Sequence, residues 1–399
     1  MTAGGRGPGS RGRWAVVFGL LWLSGLCLRL TVLAVPPVVH LVQAEWGLSA
    51  TAVGLLVTLP TALFAVGAIP GAVLVARLGP VRTVVVGLLV TATGSALRGV
   101  APAFGPLLAA TVLMAAGVAV MQPAMPVLVR GWTPGRIGFG TAVFTNGVLV
   151  GEVLPVALTA PIVLPLVRGS WGGSLALWSA PVVLVAVLVA TLAPPVDPAV
   201  VPGGGIPATG SRRRWRSSLT WLLGILFGCN NALYFGSNAF LPGYLTRLGR
   251  DDLIAPALTA LNAGQLPAAF LLLAIVGRLE RRAAPFVVIG LTSLAGVLGV
   301  VASTGVGVVA WAAVIGFAGS SAFILGLALP PLLRPPEDVA PTSAAMFTIS
   351  YGSGIGVAIL GGRAADLTGD PRLAFAPLAA CALLLAGAAL WLKRRAHLR

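Results

Sequence analysis

The sequence predicts an all-α membrane protein: twelve transmembrane helices in two six-helix bundles related by pseudo-symmetry. Three observations carry that prediction. The 399 residues are 57% hydrophobic and only 9% charged, against about a quarter charged in ordinary soluble domains. Apolar runs long enough to cross a hydrocarbon core about 30 Å thick, which takes about 20 helical residues, recur along the whole chain. One long Pro- and Gly-rich stretch divides these runs six and six. A water-soluble fold of this composition would lack polar side chains to cover its surface. Gly 52 and Pro 31 are spread through the apolar runs, as membrane helices tolerate.

The elements follow in order. A tail, 1–13, leads into the first segment, 14–40, whose apolar run is too long for a cleavable signal peptide and is followed by eleven more. Segments 50–76, 83–101, 105–129, 137–160 and 172–193 complete a first bundle, 14–193. Residues 194–217 cannot bury a core and are expected to form a mobile cytoplasmic linker. Its closing "SRRRWR" reads as a topology anchor and an anionic-lipid contact. Segments 218–245, 253–277, 284–303, 306–333, 340–362 and 373–392 build a second bundle, 218–393, before a tail at 394–399.

The net charge of +16 does not point to nucleic acid once the basic residues are placed. With the N-terminus inside, 19 of the 26 Lys and Arg residues fall in cytoplasmic stretches. Six fall outside: Arg98, Arg168, Arg247, Arg250, Arg363 and Arg372. This asymmetry is the positive-inside rule and puts both termini in the cytoplasm. Cys27, Cys229 and Cys381 are isolated within segments and support neither a disulfide framework nor a zinc site. Neither a cofactor nor a metal is expected. A single Lys against 25 Arg is the composition of a high-GC bacterium, which makes the membrane the plasma membrane and the protein a multi-pass one. The partners expected are a small-molecule solute and the lipid bilayer, with the chain a monomer.

The two halves echo each other. Segments 2 and 8 both lead into short basic turns, "ARLGPVR" at 76–82 and "GRLERRAAP" at 277–285. Two repeated bundles around a midplane site are transporter architecture. The whole chain resembles the major facilitator superfamily, and "ARLGPVR" stands where that family keeps a G-x-x-x-D-R-x-G-R-R turn between helices 2 and 3. Arg77 and Gly79 fit that turn; Ala76 replaces its Asp, and Pro80 with Val81 replace its double basic. Arg29, "ALYFGSNAFLPGYL" and "LNAGQLPAAFLL" are similar to the branch of cyanate permeases and 2-nitroimidazole transporters, in which Pro often follows the first-helix Arg where this chain has Leu30. The resemblance implies secondary transport by alternating access, with Arg77 and Gly79 in a conformational turn.

Arg29 lies inside "LWLSGLCLRLTVLAVPPVV", too far from either end to reach water easily, so it must face the bundle interior and find a partner. Glu152 is the one acidic residue deep in a segment. Each lies fifteen residues past its segment's cytoplasmic start, about 22 Å at a rise of about 1.5 Å per residue. If helices 1 and 5 share a bundle, as the resemblance implies, the two can touch. One reading is a permanent ion pair stapling two helices. The other has Arg29 bind an anionic or strongly polar solute while Glu152 takes up a proton, since arginine does not deprotonate.

Segment 7 carries Asn231, Tyr234 and Asn238 at i, i+3 and i+7, on one face. Segment 8 offers Asn262 and Gln265. Such groups either orient a polar solute or act as interhelical glue worth about 0.6 to 2 kcal/mol per contact. Glue is the favoured reading for segment 8, with Gln265 kept among the solute-facing residues. Gln122 and Tyr351 are further candidates for a central cavity. Gly352, Gly354 and Gly356 are no phosphate loop, because no strand precedes them. His40, beside Pro36 and Pro37, reads as interfacial.

The function expected is secondary active transport of a small polar or anionic solute, possible proton coupling resting on Glu152. The alternative within the class is an exporter of drug-like compounds, and from another class a polytopic receptor or scaffold. An enzyme lacks its ingredients: His40 and His397 are the only histidines, and neither lies deep in a segment. The topology is testable by placing a cysteine at Gly204. A membrane-impermeant thiol reagent applied to intact cells should leave it unlabelled, and ready labelling would contradict the twelve-segment arrangement.

Overall fold

The computed structural model describes residues 8–48, 50–196, 217–279 and 282–395. Most of the linker with its "SRRRWR" cluster, the acidic and basic pair Glu280 and Arg281, and the side chain of His40 lie outside them. Among the described residues every regular element is helical, and twelve helical runs are long and apolar enough to cross a membrane. They are α1 Gly12–Leu30, α2 Leu55–Leu78, α3 Pro80–Gly99, α4 Phe104–Trp132, α5 Ile137–Leu166, α6 Trp171–Leu192, α7 Ser218–Arg247, α8 Asp251–Leu279, α9 Ala284–Ala302, α10 Gly307–Leu333, α11 Pro336–Thr368 and α12 Pro371–Trp391. The chain gathers into two compact units, Met1–Leu63 with Pro70–Gly205, and Phe64–Ile69 with Ile206–Arg399.

The units repeat one packing order. In the first, α1 packs along α5, α3 along α4 and α3 along α6; in the second, α7 packs along α11, α9 along α10 and α9 along α12. Lipid gives helices no hydrophobic push toward each other, so close backbone approach through small residues does the joining. At the α1–α5 contact a Cβ on Gly147 or Gly151 would run into the carbonyl oxygens of Trp22 and Leu26, and one on Gly25 into that of Phe144. The contacts advance together along both helices, from the Phe18–Phe139 ring pair at 5.0 Å through Trp22 with Gly147 to Leu26 with Gly151. The helices are therefore parallel, and residues at equal depth meet.

Several of the predicted segments are less continuous than the sequence reading had them, among them the first, fourth, sixth and eighth, the sixth being divided at Trp178 into Trp171–Leu177 and Ser179–Leu192. The first, expected as one helix over 14–40, stops at Leu30; turns follow, then a 3-10 helix Pro36–Val38 and a helix Val39–Trp46. Pro36 and Pro37 have no N–H to offer the carbonyls of Val32 and Leu33, so the helical ladder cannot continue. In α4 the helix Phe104–Met121 gives way at Gln122 and Pro123 to the helix Ala124–Trp132, where Pro123 and Pro126 remove two further donors. In α8 the helices Ile254–Ala263 and Gln265–Leu279 meet at Gly264.

The turn between α2 and α3 is made by Gly79 at φ +81°, a conformation side chains rarely adopt. Its carbonyl accepts a bond from Thr83 Oγ1 at 2.7 Å, and Arg77 stands exposed beside it.

The close approach of α1 and α5 is testable by thermal unfolding in detergent. Gly147→Ala should destabilise by about 1–3 kcal/mol, the usual cost of overpacking. Gly352→Ala, where an added Cβ meets nothing within 4 Å, should leave the melting temperature where it is.

Candidate functional site

The α1–α5 contact ends in the ion pair that the sequence pointed to. Arg29 Nε lies 3.2 Å from Glu152 Oε1, with side-chain exposures of 11% and 18%. Arg29 is in the last turn of α1, where a cation complements the negative end of the helix dipole. Its own carbonyl accepts the N–H groups of Val32 and Leu33 at 3.1 and 3.0 Å. Glu152 follows Gly151, where the backbones of α1 and α5 come close to each other.

Two neighbours of this pair had no part in the sequence reading. Trp22 Nε1 donates to Asn146 Oδ1 at 2.9 Å, a second polar bridge between the same helices about two turns from Arg29 on α1. Asn146 Nδ2 is buried and has no hydrogen-bond partner among the described residues. The signal was an amide inside the same apolar segment as Glu152.

Arg98 has surroundings that the sequence reading did not anticipate. Counted among the outside charges because it stands near the end of its segment, it is 0% exposed. Its Nη2 donates to the carbonyl of Thr31 at 2.7 Å and to Ser95 Oγ at 3.1 Å. Arg98 is thus more fully withdrawn from solvent than either Arg29 or Glu152. A long guanidinium near a helix end ordinarily snorkels to water; here the broken end of α1 offers a bare carbonyl instead.

In the second unit the face of α7 divides its partners. Asn231 Nδ2 donates to Ser350 Oγ of α11 at 2.7 Å. Tyr234 Oη donates to Asn262 Oδ1 of α8 at 2.6 Å, Asn262 Nδ2 to Asn238 Oδ1 at 3.1 Å, and Asn238 Nδ2 to the Tyr234 carbonyl at 2.9 Å. The side chain that α8 contributes to this network is therefore Asn262. Gln265, at the start of the second half of α8, is buried. Tyr351 is buried and stacks on Phe347 with ring centroids 6.2 Å apart.

In the first unit, Gln122 sits in the break of α4, buried, with Oε1 lacking a partner among the described residues. Arg334, between α10 and α11, donates to Ser217 Oγ at 2.6 Å and Thr220 Oγ1 at 2.8 Å. Burial holds its pKa below the ordinary arginine value, with Asp338 pulling the other way. It ties the start of α7 to the end of α10. All three cysteines are buried thiols, and no group of three or more His, Cys, Asp or Glu residues gathers in a metal-binding arrangement among the described residues.

The arrangement can hold one negative or electron-rich group on Arg29 and one proton on Glu152. The family model of the Major Facilitator Superfamily matches residues 21–358. The cyanate transport protein CynX of Escherichia coli (strain K12) is 27% identical over 344 residues, 86% of this chain and 86% of that protein. The 2-nitroimidazole transporter of the same organism is 25% identical over 252 residues, 63% of this chain and 62% of its own length. In fold, the chain is similar to the crystal structure of the E. coli fucose:proton symporter FucP, with a TM-score of 0.77 at 17% identity over 95% of this chain and 98% of that one. The match across most of the chain, with twelve apolar helices in two units of repeated packing order, establishes that this multi-pass membrane protein belongs to the Major Facilitator Superfamily.

Proposed function

We propose that the chain is a secondary active transporter for a small anionic or strongly polar solute, held by Arg29 and coupled to a proton at Glu152. The observation that carries this reading is the Arg29–Glu152 pair, withdrawn from solvent to side-chain exposures of 11% and 18%. As a staple the pair is a poor device. Desolvation costs several kcal/mol per ion, and apolar replacements of buried pairs are often neutral or stabilising. As a site it is suitable: a guanidinium is planar, always charged and presents parallel donors. The relatives named above carry cyanate, a small anion, and 2-nitroimidazole, a flat ring with an electron-rich nitro group, in their names. Both kinds of solute match a guanidinium.

The charge balance closes without a metal or a cofactor step. In the empty carrier Arg29 and Glu152 neutralise each other. An anionic solute takes the place of the carboxylate on Arg29, and Glu152, left without its cation, accepts a proton, so the site is neutral in both states. Asn231, Tyr234 and Asn238 of α7, with Gln122, Gln265 and Tyr351, belong to the same reading as polar contacts for the solute. Gly79, with Arg77, is assigned to the turn that flexes during the transport cycle.

Two sets of variants test this. Arg29→Lys keeps the charge and loses the planar fork, so in proteoliposomes it should fold and yet bind a planar solute at least about tenfold more weakly, ~1.4 kcal/mol. Removing one partner of a buried pair costs about 3–5 kcal/mol, whereas removing both is near neutral. Arg29→Met with Glu152→Gln should therefore fold and not transport, and transport at the parental rate would leave the pair a staple only.

On α7, Asn231→Ala, Tyr234→Ala and Asn238→Ala should each weaken solute binding more than they lower the melting temperature. Loss of stability with binding intact would make these side chains interhelical glue.

A further inference from the structure

Arg98 is a charge that the proposed transport step does not use, and its surroundings give it a different task. It is wholly buried, no carboxylate pairs with it among the described residues, and its Nε and Nη1 lack hydrogen-bond partners there. Its hydrogen bonds among the described residues both go through Nη2. In a continued helix the carbonyl of Thr31 would receive the N–H of Val35; here Arg98 Nη2 reaches it at 2.7 Å. The same nitrogen donates to Ser95 Oγ, and Ser95 Oγ donates to the carbonyl of Leu175 in α6 at 3.0 Å. The end of α3 is itself fixed on α6, because a Cβ on Gly99 would strike the carbonyl of Gly172 and the side chain of Ala176.

A helix interrupted inside an apolar segment leaves carbonyls that lipid cannot satisfy, and a guanidinium at that end both bonds them and complements the dipole. Thr31 is two residues beyond Arg29. Whatever holds the Thr31 carbonyl thus holds the last turn of α1, from which Arg29 reaches Glu152. We propose that Arg98 is a positioning residue for solute recognition: it anchors the broken end of α1 to α3 and α6, and so keeps the Arg29 guanidinium in register with Glu152. The proposal rests on Arg29 being the solute-binding group.

The test is a double-mutant cycle between positions 29 and 152, read from unfolding in detergent without any solute, in the parental protein and in an Arg98→Met background. The coupling between Arg29 and Glu152 should fall to less than half its parental value in that background and recover in part with Arg98→Lys. Should Arg98→Met not fold, Ser95→Ala carries the same cycle, because it loosens the Arg98 side chain while leaving every buried charge in place. An unchanged coupling in whichever background folds overturns the positioning role, even if overall stability drops. Because no solute is present, that failure would leave the assignment of Arg29 to the solute standing. Transport by the Arg29 and Glu152 double variant would sink that assignment instead.

Discussion

A guanidinium in an apolar interior must have an acceptor in every state the protein visits, because at bilayer depth the alternative is an uncompensated charge. Much of the first unit serves this constraint. Gly25, Gly147 and Gly151 let α1 and α5 touch backbone to backbone, which brings the Arg29 and Glu152 side chains to 3.2 Å. The dipole of α1 ends at Arg29. Beyond it Pro36 and Pro37 deny helical donors to the carbonyls of Val32 and Leu33, and the carbonyl of Thr31 is met by a second arginine, wholly buried. Packing, chain interruption and charge placement are consequences of one requirement.

The second unit repeats the helix pairing but not the charges. Where α1 and α5 carry an ion pair, α7 and α11 carry the Asn231–Ser350 bond, and the larger polar network runs from α7 to α8 through Tyr234, Asn238 and Asn262. Amides and hydroxyls can be satisfied in pairs without a counter-ion, so this network tolerates burial at a cost of one hydrogen bond per lost partner. A repeated backbone thus supports one unit with a charged contact and one with a neutral one.

The twelve spans were legible because hydrophobic length in lipid is nearly a sufficient condition for a helix. The Arg29–Glu152 pair was legible because deep charges are few and depth can be counted from a segment start. Arg98 was not, since a charge near a segment end ordinarily escapes to water, and its burial depends on the break in a helix 67 residues earlier in the chain. The break itself was written in Pro36 and Pro37, yet hydropathy over 14–40 hides it because the segment stays apolar throughout. Asn262 stood in the sequence reading only as probable glue, with Gln265 the member of α8 preferred for the solute; which of two amides three residues apart meets α7 depends on how the helices are rotated, and no periodicity within one segment fixes that.

In the proposed cycle Glu152 gives up Arg29 to the solute and is then neutralised by a proton. Infrared difference spectra of the purified protein, taken on saturation with a small anion that raises its melting temperature, sodium cyanate first, read this directly. Saturation should bring loss of a carboxylate band and gain of a protonated-carboxyl band, both missing in Glu152→Gln. An anion that binds through Arg29 while the carboxylate stays ionised would contradict it.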